Sequence, residues 1–269
     1  MNTGRLSPLR ALADDPRFSW CAYLPARPAT RTVVLVHGSD RDPVALIRAF
    51  SAWADDQDVA LIAPLFPGGV PEPDDLHGYK QALTGDFSFA EILDAVVADA
   101  GTRLGVPRGP FDLFGFSGGA QFSHRYALVR PANVRSVVVV APGNVTLLAP
   151  GRRWWAGVDD LHAFPGSLEV VDGIRNVPVL AMVGADDDGR EVIAVSPDES
   201  RWVAGANDAG VTRVERVRTL VSDWRAAGVR VQHLVVPGVA HDFRPFVAAA
   251  QAFFDAHSGD RETPHAAEE

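Results

Sequence analysis

The sequence predicts an α/β fold: a doubly wound, mostly parallel sheet with helices over both faces. Three observations carry this. The strand-like runs are short, β-branched and almost continuously apolar, as strands buried on both faces are. Amphipathic stretches with helical spacing alternate with those runs. No repeat or linker divides the 269 residues, so one domain is expected over residues 1–257.

The elements follow in order. Trp20-Cys21-Ala22-Tyr23-Leu24 reads as an early strand, and Thr32-Val33-Val34-Leu35-Val36 as a buried one. Residues 43–54 place Val44, Ile47, Phe50 and Trp53 at helical spacing. Residues 59–63 form a third strand, ended by Pro64. A loop rich in Pro, Gly and Asp spans residues 68–75. In the helix expected over residues 89–104, Ile92, Val96, Val97 and Ala100 share a face. Phe111-Asp112-Leu113-Phe114 is the next strand, followed by helix-like residues 120–128. Residues 134–140 and 177–183 are further buried strands. Val214, Val217, Leu220, Val221 and Trp224 line one side of a helix over residues 212–227, which Gly228 stops. Residues 229–236 form the last strand and 246–257 the last helix. The polar tail, residues 258–269, is expected to be disordered. Two connections, 144–176 and 189–210, are long enough to be lid-like.

Composition narrows the function. Apolar residues make up 47% and charged residues 22%, as in soluble globular chains. The net charge is −9 and the basic residues are scattered, which excludes a nucleic-acid footprint. Lys80 is the only lysine beside 24 arginines. Cys21 is the only cysteine, which excludes an internal disulfide; its apolar run makes it a small buried hydrophobe. Residues 1–10 lack a signal-peptide core, and no apolar run approaches the roughly 18 residues of a membrane helix. A cytoplasmic enzyme with no membrane partner and no cofactor is expected; the oligomeric state is open.

Chemistry concentrates at Gly115-Phe116-Ser117-Gly118-Gly119, between a strand and a helix. G-x-S-x-G in that setting is a nucleophile elbow, whose glycines let strand and helix approach a strained serine. Ser117 is therefore the expected nucleophile. It needs a base, and the base needs an orienting group. His241 follows the last strand, and strand carboxyl ends in such sheets share one edge. His37 also follows a strand, but Gly38 gives it a turn-forming role; His124 is expected on a helix flank. The orienting acid lies in Ala185-Asp186-Asp187-Asp188. The spacing Gly-x-x-Asp favours Asp187, with Asp186 and Asp188 as alternatives. No second carboxylate cluster completes a metal shell, so no metal is expected. The chain order Ser117, Asp187, His241 is independent of the pentapeptide. For the oxyanion, the expected donors are the N–H groups of Gly118 and Ser39, the latter aimed by the His37-Gly38 turn.

For the substrate, Trp154, Trp155 and Phe164 in the first insert and Trp202 in the second suggest an apolar or aromatic pocket, or else they anchor the inserts. Arg41 is a candidate for a substrate carboxylate, with capping of a loop carboxylate such as Asp42 as the alternative. Lys80, in the long loop facing the same edge, is assigned no role.

Leu35-Val36-His37-Gly38-Ser39, Gly115-Phe116-Ser117-Gly118-Gly119, Val183-Gly184-Ala185-Asp186-Asp187 and Gly238-Val239-Ala240-His241 together resemble the α/β-hydrolase superfamily over residues 20–254. The resemblance implies an eight-stranded, mostly parallel sheet and a lid after the sixth strand, here residues 144–176, shorter than a full helical cap domain. It implies a serine hydrolase acting on a small carboxylic ester through an acyl-enzyme. Relatives with the same three residues include C–C bond hydrolases, lactonases, thioesterases, acyltransferases, perhydrolases and hydroxynitrile lyases. The lack of a His-Gly-Gly-Gly run argues against the hormone-sensitive-lipase-like branch. A non-catalytic ligand receptor is a third reading, disfavoured by a complete Ser/His/Asp set.

Overall fold

A computed structural model of the chain describes residues 3–164, 170–189 and 193–259. Two short strands, β1 (Arg5–Leu6) and β2 (Arg10–Ala11), run antiparallel to β3 (Ser19–Leu24). They occupy the same edge position on either side of residues 7–9, where Pro8 removes a ladder donor. Wholly buried β4 (Arg31–Val36) leads through a tight loop to α1 (Pro43–Gln57). Asp42 caps α1 by accepting from the Ala45 N–H, and Pro43 sits where no N–H is needed. Next come β5 (Val59–Leu65), the one-turn α2 (Gly78–Gln81), and the small hairpin of β6 (Leu83–Thr84) and β7 (Phe87–Ser88).

Helix α3 (Phe89–Leu104) is capped by Ser88 and stopped by Gly105 at φ +68°. Strand β8 (Phe111–Phe116) turns sharply into α4 (Gly118–Val129), every residue of which is buried. The chain continues through β9 (Val134–Val140), α5 (Val170–Ile174), β10 (Val179–Gly184), α6 (Arg213–Ala226), β11 (Val231–Val236) and α7 (Val247–Ala256). A reciprocal Thr212–Glu215 capping box starts α6.

The sheet order is β1-β3-β5-β4-β8-β9-β10-β11, with β2 also paired to β3. Eight positions result, as the resemblance implies. The six from β5 to β11 are parallel and β3 is antiparallel to β5. Parallel strands send their carboxyl ends to one edge, so the loops after β4, β8, β10 and β11 gather there. Among the described residues, no helix is long and apolar enough to cross a membrane.

The long connections are packed onto the body. Trp154 and Trp155 are buried, and their indole N–H groups donate to the carbonyls of Leu83 (3.0 Å) and Arg201 (2.8 Å). Asp223 on α6 accepts from the N–H groups of Leu148 and Ala149. Residues 165–169 and 190–192 of these connections, and the expected tail from residue 260 on, lie outside the described residues. Ser258 still belongs to the last turn, its hydroxyl donating to the Asp255 carbonyl.

Candidate active site

The turn after β8 holds Ser117 at φ +54°, ψ −112°, a conformation that a side chain adopts only under strain. Its N–H donates to the Val140 carbonyl and its carbonyl accepts from the Gln121 N–H, so both ends of the residue are tied. The flanking glycines are steric requirements. A Cβ on Gly119 would lie 2.1 Å from the Val36 carbonyl oxygen, and one on Gly115 would lie 2.3 Å from that of Gly119. Helix α4 therefore starts pressed against β4, and the hydroxyl of Ser117 points out at the edge of the sheet.

His241, after β11, is brought to that hydroxyl. Its Nε2 lies 3.0 Å from Ser117 Oγ. Its Nδ1 lies 2.7 Å from Asp187 Oδ2, and the other carboxylate oxygen accepts from Arg213 at 2.9 Å. With a carboxylate on Nδ1, that nitrogen carries the proton and Nε2 is left to accept one. Asp187 is 3% exposed, whereas Asp186 and Asp188 are exposed. Burial would raise the Asp187 pKa; the hydrogen bond and charge of His241, joined by Arg213, outweigh it and hold the carboxyl below its usual range. The two loops are stitched together: the Ala185 N–H donates to the Val236 carbonyl and the Asp186 N–H to that of Val239. The ring of Phe116 lies 4.6 Å from that of His241 and supports it from beneath.

The loop after β4 is set by His37. The Phe66 N–H donates to its Nε2 (3.0 Å), so Nδ1 carries the proton and donates to the Gly38 carbonyl (2.7 Å). Burial lowers the pKa of His37 to about 4, which keeps the ring neutral. Arg41 grips the same loop, donating to the carbonyls of Ser39, Phe66 and Leu76 at 3.2, 3.0 and 3.0 Å. Its donors are spent on backbone carbonyls and it does not line the pocket beside Ser117, so the structure places it as a clamp between loops. Tyr79 stands behind: its hydroxyl would meet a Cβ on Gly118 at 2.3 Å.

The pocket beside Ser117 has a volume of about 370 Å³. Its walls include Ser39, His77, Lys80, Gln121, Asn144, Arg201 and Arg213. Phe116 and Ile193 add apolar surface, and neither Trp154 nor Trp155 lines this pocket, in keeping with the alternative that they anchor the insert. Both indoles have an N–H that needs a buried acceptor; Trp154 finds the Leu83 carbonyl, and Trp155 finds that of Arg201 in the other long connection. The cationic wall went unread in the sequence because its members come from 77–80, 201 and 213, with no common spacing. One signal was available: a chain that otherwise uses arginine keeps a single lysine, and it is here.

A hydroxyl in line with an imidazole and a buried carboxylate can lose its proton as it attacks an electrophilic carbon.

No protein-family model and no curated protein matches the sequence. Solved structures do. The LpqC poly(3-hydroxybutyrate) depolymerase of Bordetella parapertussis superposes with a TM-score of 0.76 at 23% identity, over 99% of this chain and 93% of that one. Poly(aspartic acid) hydrolase-1 of Sphingomonas sp. KT-1 gives 0.71 at 17%, over 87% and 92%. An S-formylglutathione hydrolase of Agrobacterium tumefaciens gives 0.65 at 13%, over 96% of each chain. With the sheet order and the strand-edge loops described above, these likenesses establish that the chain has the α/β-hydrolase fold.

Proposed function

We propose that the protein is a serine hydrolase that cleaves a small carboxylic ester through an acyl-enzyme on Ser117. The observation that carries this is the continuous line from Ser117 Oγ through both nitrogens of His241 to Asp187, at 3.0 and 2.7 Å. Ser117 Oγ attacks the ester carbonyl carbon and its proton passes to His241 Nε2. The resulting oxyanion is held by the N–H groups of Gly118 and Ser39. Collapse of the tetrahedral intermediate breaks the bond to the leaving alkoxide, which takes the proton back from His241. Water then repeats the sequence on the acyl group and regenerates the serine. Asp187 keeps Nδ1 protonated throughout and stabilises the imidazolium.

The reading is supported by the hydrolytic functions for which the superposable structures are named. Lys80, Arg201, Gln121 and Asn144 favour a polar end on the acyl chain, beside the apolar surface of Phe116 and Ile193. The test is Ser117→Ala: the variant folds, with an unchanged melting temperature, and loses turnover of 4-nitrophenyl acetate. Turnover retained by that variant removes the nucleophile from the scheme.

A further inference from the structure

The chain carries a net charge of −9, yet the pocket beside Ser117 collects cations. Arg213 is neutralised by Asp187 at 2.9 Å. Lys80 is not neutralised. It is 7% exposed, its Nζ lies 2.8 Å from His77 Nδ1, and no carboxylate forms an ion pair with it among the described residues. The imidazole can accept from the ammonium only while neutral; burial, then the charges of Lys80 and Arg201, lower its pKa to about 4. Arg201 engages Glu199 through Nε at 2.7 Å, and the two remaining nitrogens have no protein hydrogen-bond partner among the described residues.

Two further buried guanidinium groups stand behind this wall with no carboxylate paired to them among the described residues. Arg125 donates to Thr146 Oγ1 and the Lys80 carbonyl and stacks over Trp155 at 4.8 Å. Arg216 donates to the carbonyls of Gly143, Gly210 and Ile193 and to Asn144. Burial, reinforced by neighbouring arginines, lowers Lys80 to about 8, Arg125 to about 9 and Arg216 to about 10. The nearby acids offset this field only in part. Asp75 accepts from the N–H groups of His77 and Gly78 and its charge acts on Lys80 without forming an ion pair with it, Glu199 is paired with Arg201, and Asp40 sits on the exposed rim.

We infer that the substrate carries a carboxylate, seated between Lys80 and the free edge of Arg201, with Gln121 and Asn144 on the same wall. This deepens the hydrolase reading and rests on it for the identity of the scissile bond. A carboxylate matches the geometry because a guanidinium edge presents two parallel N–H groups to a planar pair of oxygens, and the ammonium adds a point charge. Its distance from the chemistry is short. A Cβ on Gly118 would lie 3.0 Å from Lys80 Cε, so the lysine stem runs past the start of α4, directly after the nucleophile. A pocket of about 370 Å³ with this arrangement suits the monoester of a short dicarboxylic acid.

The experiment compares glutarate with glutaramide as ligands of the intact protein by calorimetry, and 4-nitrophenyl hemiglutarate with 4-nitrophenyl butyrate as substrates. Glutarate is expected to bind at least about 10-fold tighter than glutaramide, weakening with salt, and the hemiester to have the higher kcat/KM. Lys80→Met and Arg201→Gln are each expected to weaken glutarate binding, and to lower the hemiester-to-butyrate ratio, by about 10- to 100-fold. Equal binding of glutarate and glutaramide overturns the assignment, and this arm needs no variant to fold. Tighter binding of inorganic phosphate than of glutarate, or variants that leave the ratio unmoved, also overturns it. Failure of the hydrolase reading looks different: glutarate binds as expected while neither ester is turned over.

Discussion

Replacing Asp187 by asparagine tests how the site sets the proton positions of His241. Arg213 offers Asp187 only donors, at 2.9 Å, and is itself buried. The side-chain amide of Asp187→Asn must therefore turn its oxygen to Arg213, which leaves its NH2 facing His241 Nδ1. That nitrogen then has to be the acceptor, so the proton moves to Nε2, the atom that should receive it from Ser117. A fall in kcat of about 10,000-fold follows, equivalent to about 5.4 kcal/mol of barrier. Because the amide keeps an acceptor on Arg213, the folding cost is smaller, about 1–3 kcal/mol. Adding Arg213→Met frees the amide to turn its oxygen towards His241, so the double variant should recover activity by about 10-fold over the single one. Stopped-flow hydrolysis of 4-nitrophenyl acetate, with melting curves for both proteins, measures this. A single variant within about tenfold of the parent refutes the tautomer reasoning. Equal activity in the single and double variants refutes the orienting role of Arg213.

Further outcomes follow from the same contacts. Gly119→Ala places a Cβ 2.1 Å from the Val36 carbonyl oxygen and 2.6 Å from that of His37, both backbone atoms. It is expected to cost about 3 kcal/mol or more, seen as a lowered midpoint in urea. Arg41→Met removes the donors that tie the Ser39 carbonyl to those of Phe66 and Leu76 in the connection after β5, and should lower kcat about 10-fold with KM little changed, since the loosened N–H acts on the transition state. Stability should fall as the pH drops from about 6.5 to about 4. His37 is neutral when folded, with its pKa lowered to about 4 by burial, whereas the unfolded ring binds a proton below about 6.5. Unfolding therefore takes up protons in that window, and this group's contribution amounts to about 3 kcal/mol at its lower end. His124, lowered for the same reason, adds in the same direction. Melting temperatures from pH 7 to pH 4 measure the slope, and a flat profile contradicts neutral burial.

Much of the fold was legible because buried parallel strands and amphipathic helices leave opposite marks in a sequence. Val134–Val140 is found as read, and the helix expected over 89–104 is Phe89–Leu104. The edge pieces Arg5–Leu6 and Arg10–Ala11 were not legible: two exposed or half-exposed residues carry no period, and they exist only because the edge of β3 offers them partners. The one-turn helix at Gly78–Gln81, just past the loop rich in breakers, is too short to show a period. At the site, local grammar pointed to Ser117, His241 and the run Asp186-Asp187-Asp188, since each follows a strand and strand ends converge; the structure brings Asp187 of the three to His241. Specificity was illegible. Aromatic side chains in an insert say that something large must be buried, and Trp154 and Trp155 are buried within the protein, their N–H groups satisfied by the Leu83 and Arg201 carbonyls. The cations that do face the pocket are brought together only by tertiary structure.

The most direct measurement is stoichiometric labelling with a fluorophosphonate, read by intact mass and peptide mapping. One adduct per chain on Ser117, abolished in Ser117→Ala and slowed by about 1,000-fold or more in His241→Ala, is the expected result. A protein that stays unlabelled, or that is labelled equally fast without His241, contradicts the activated serine.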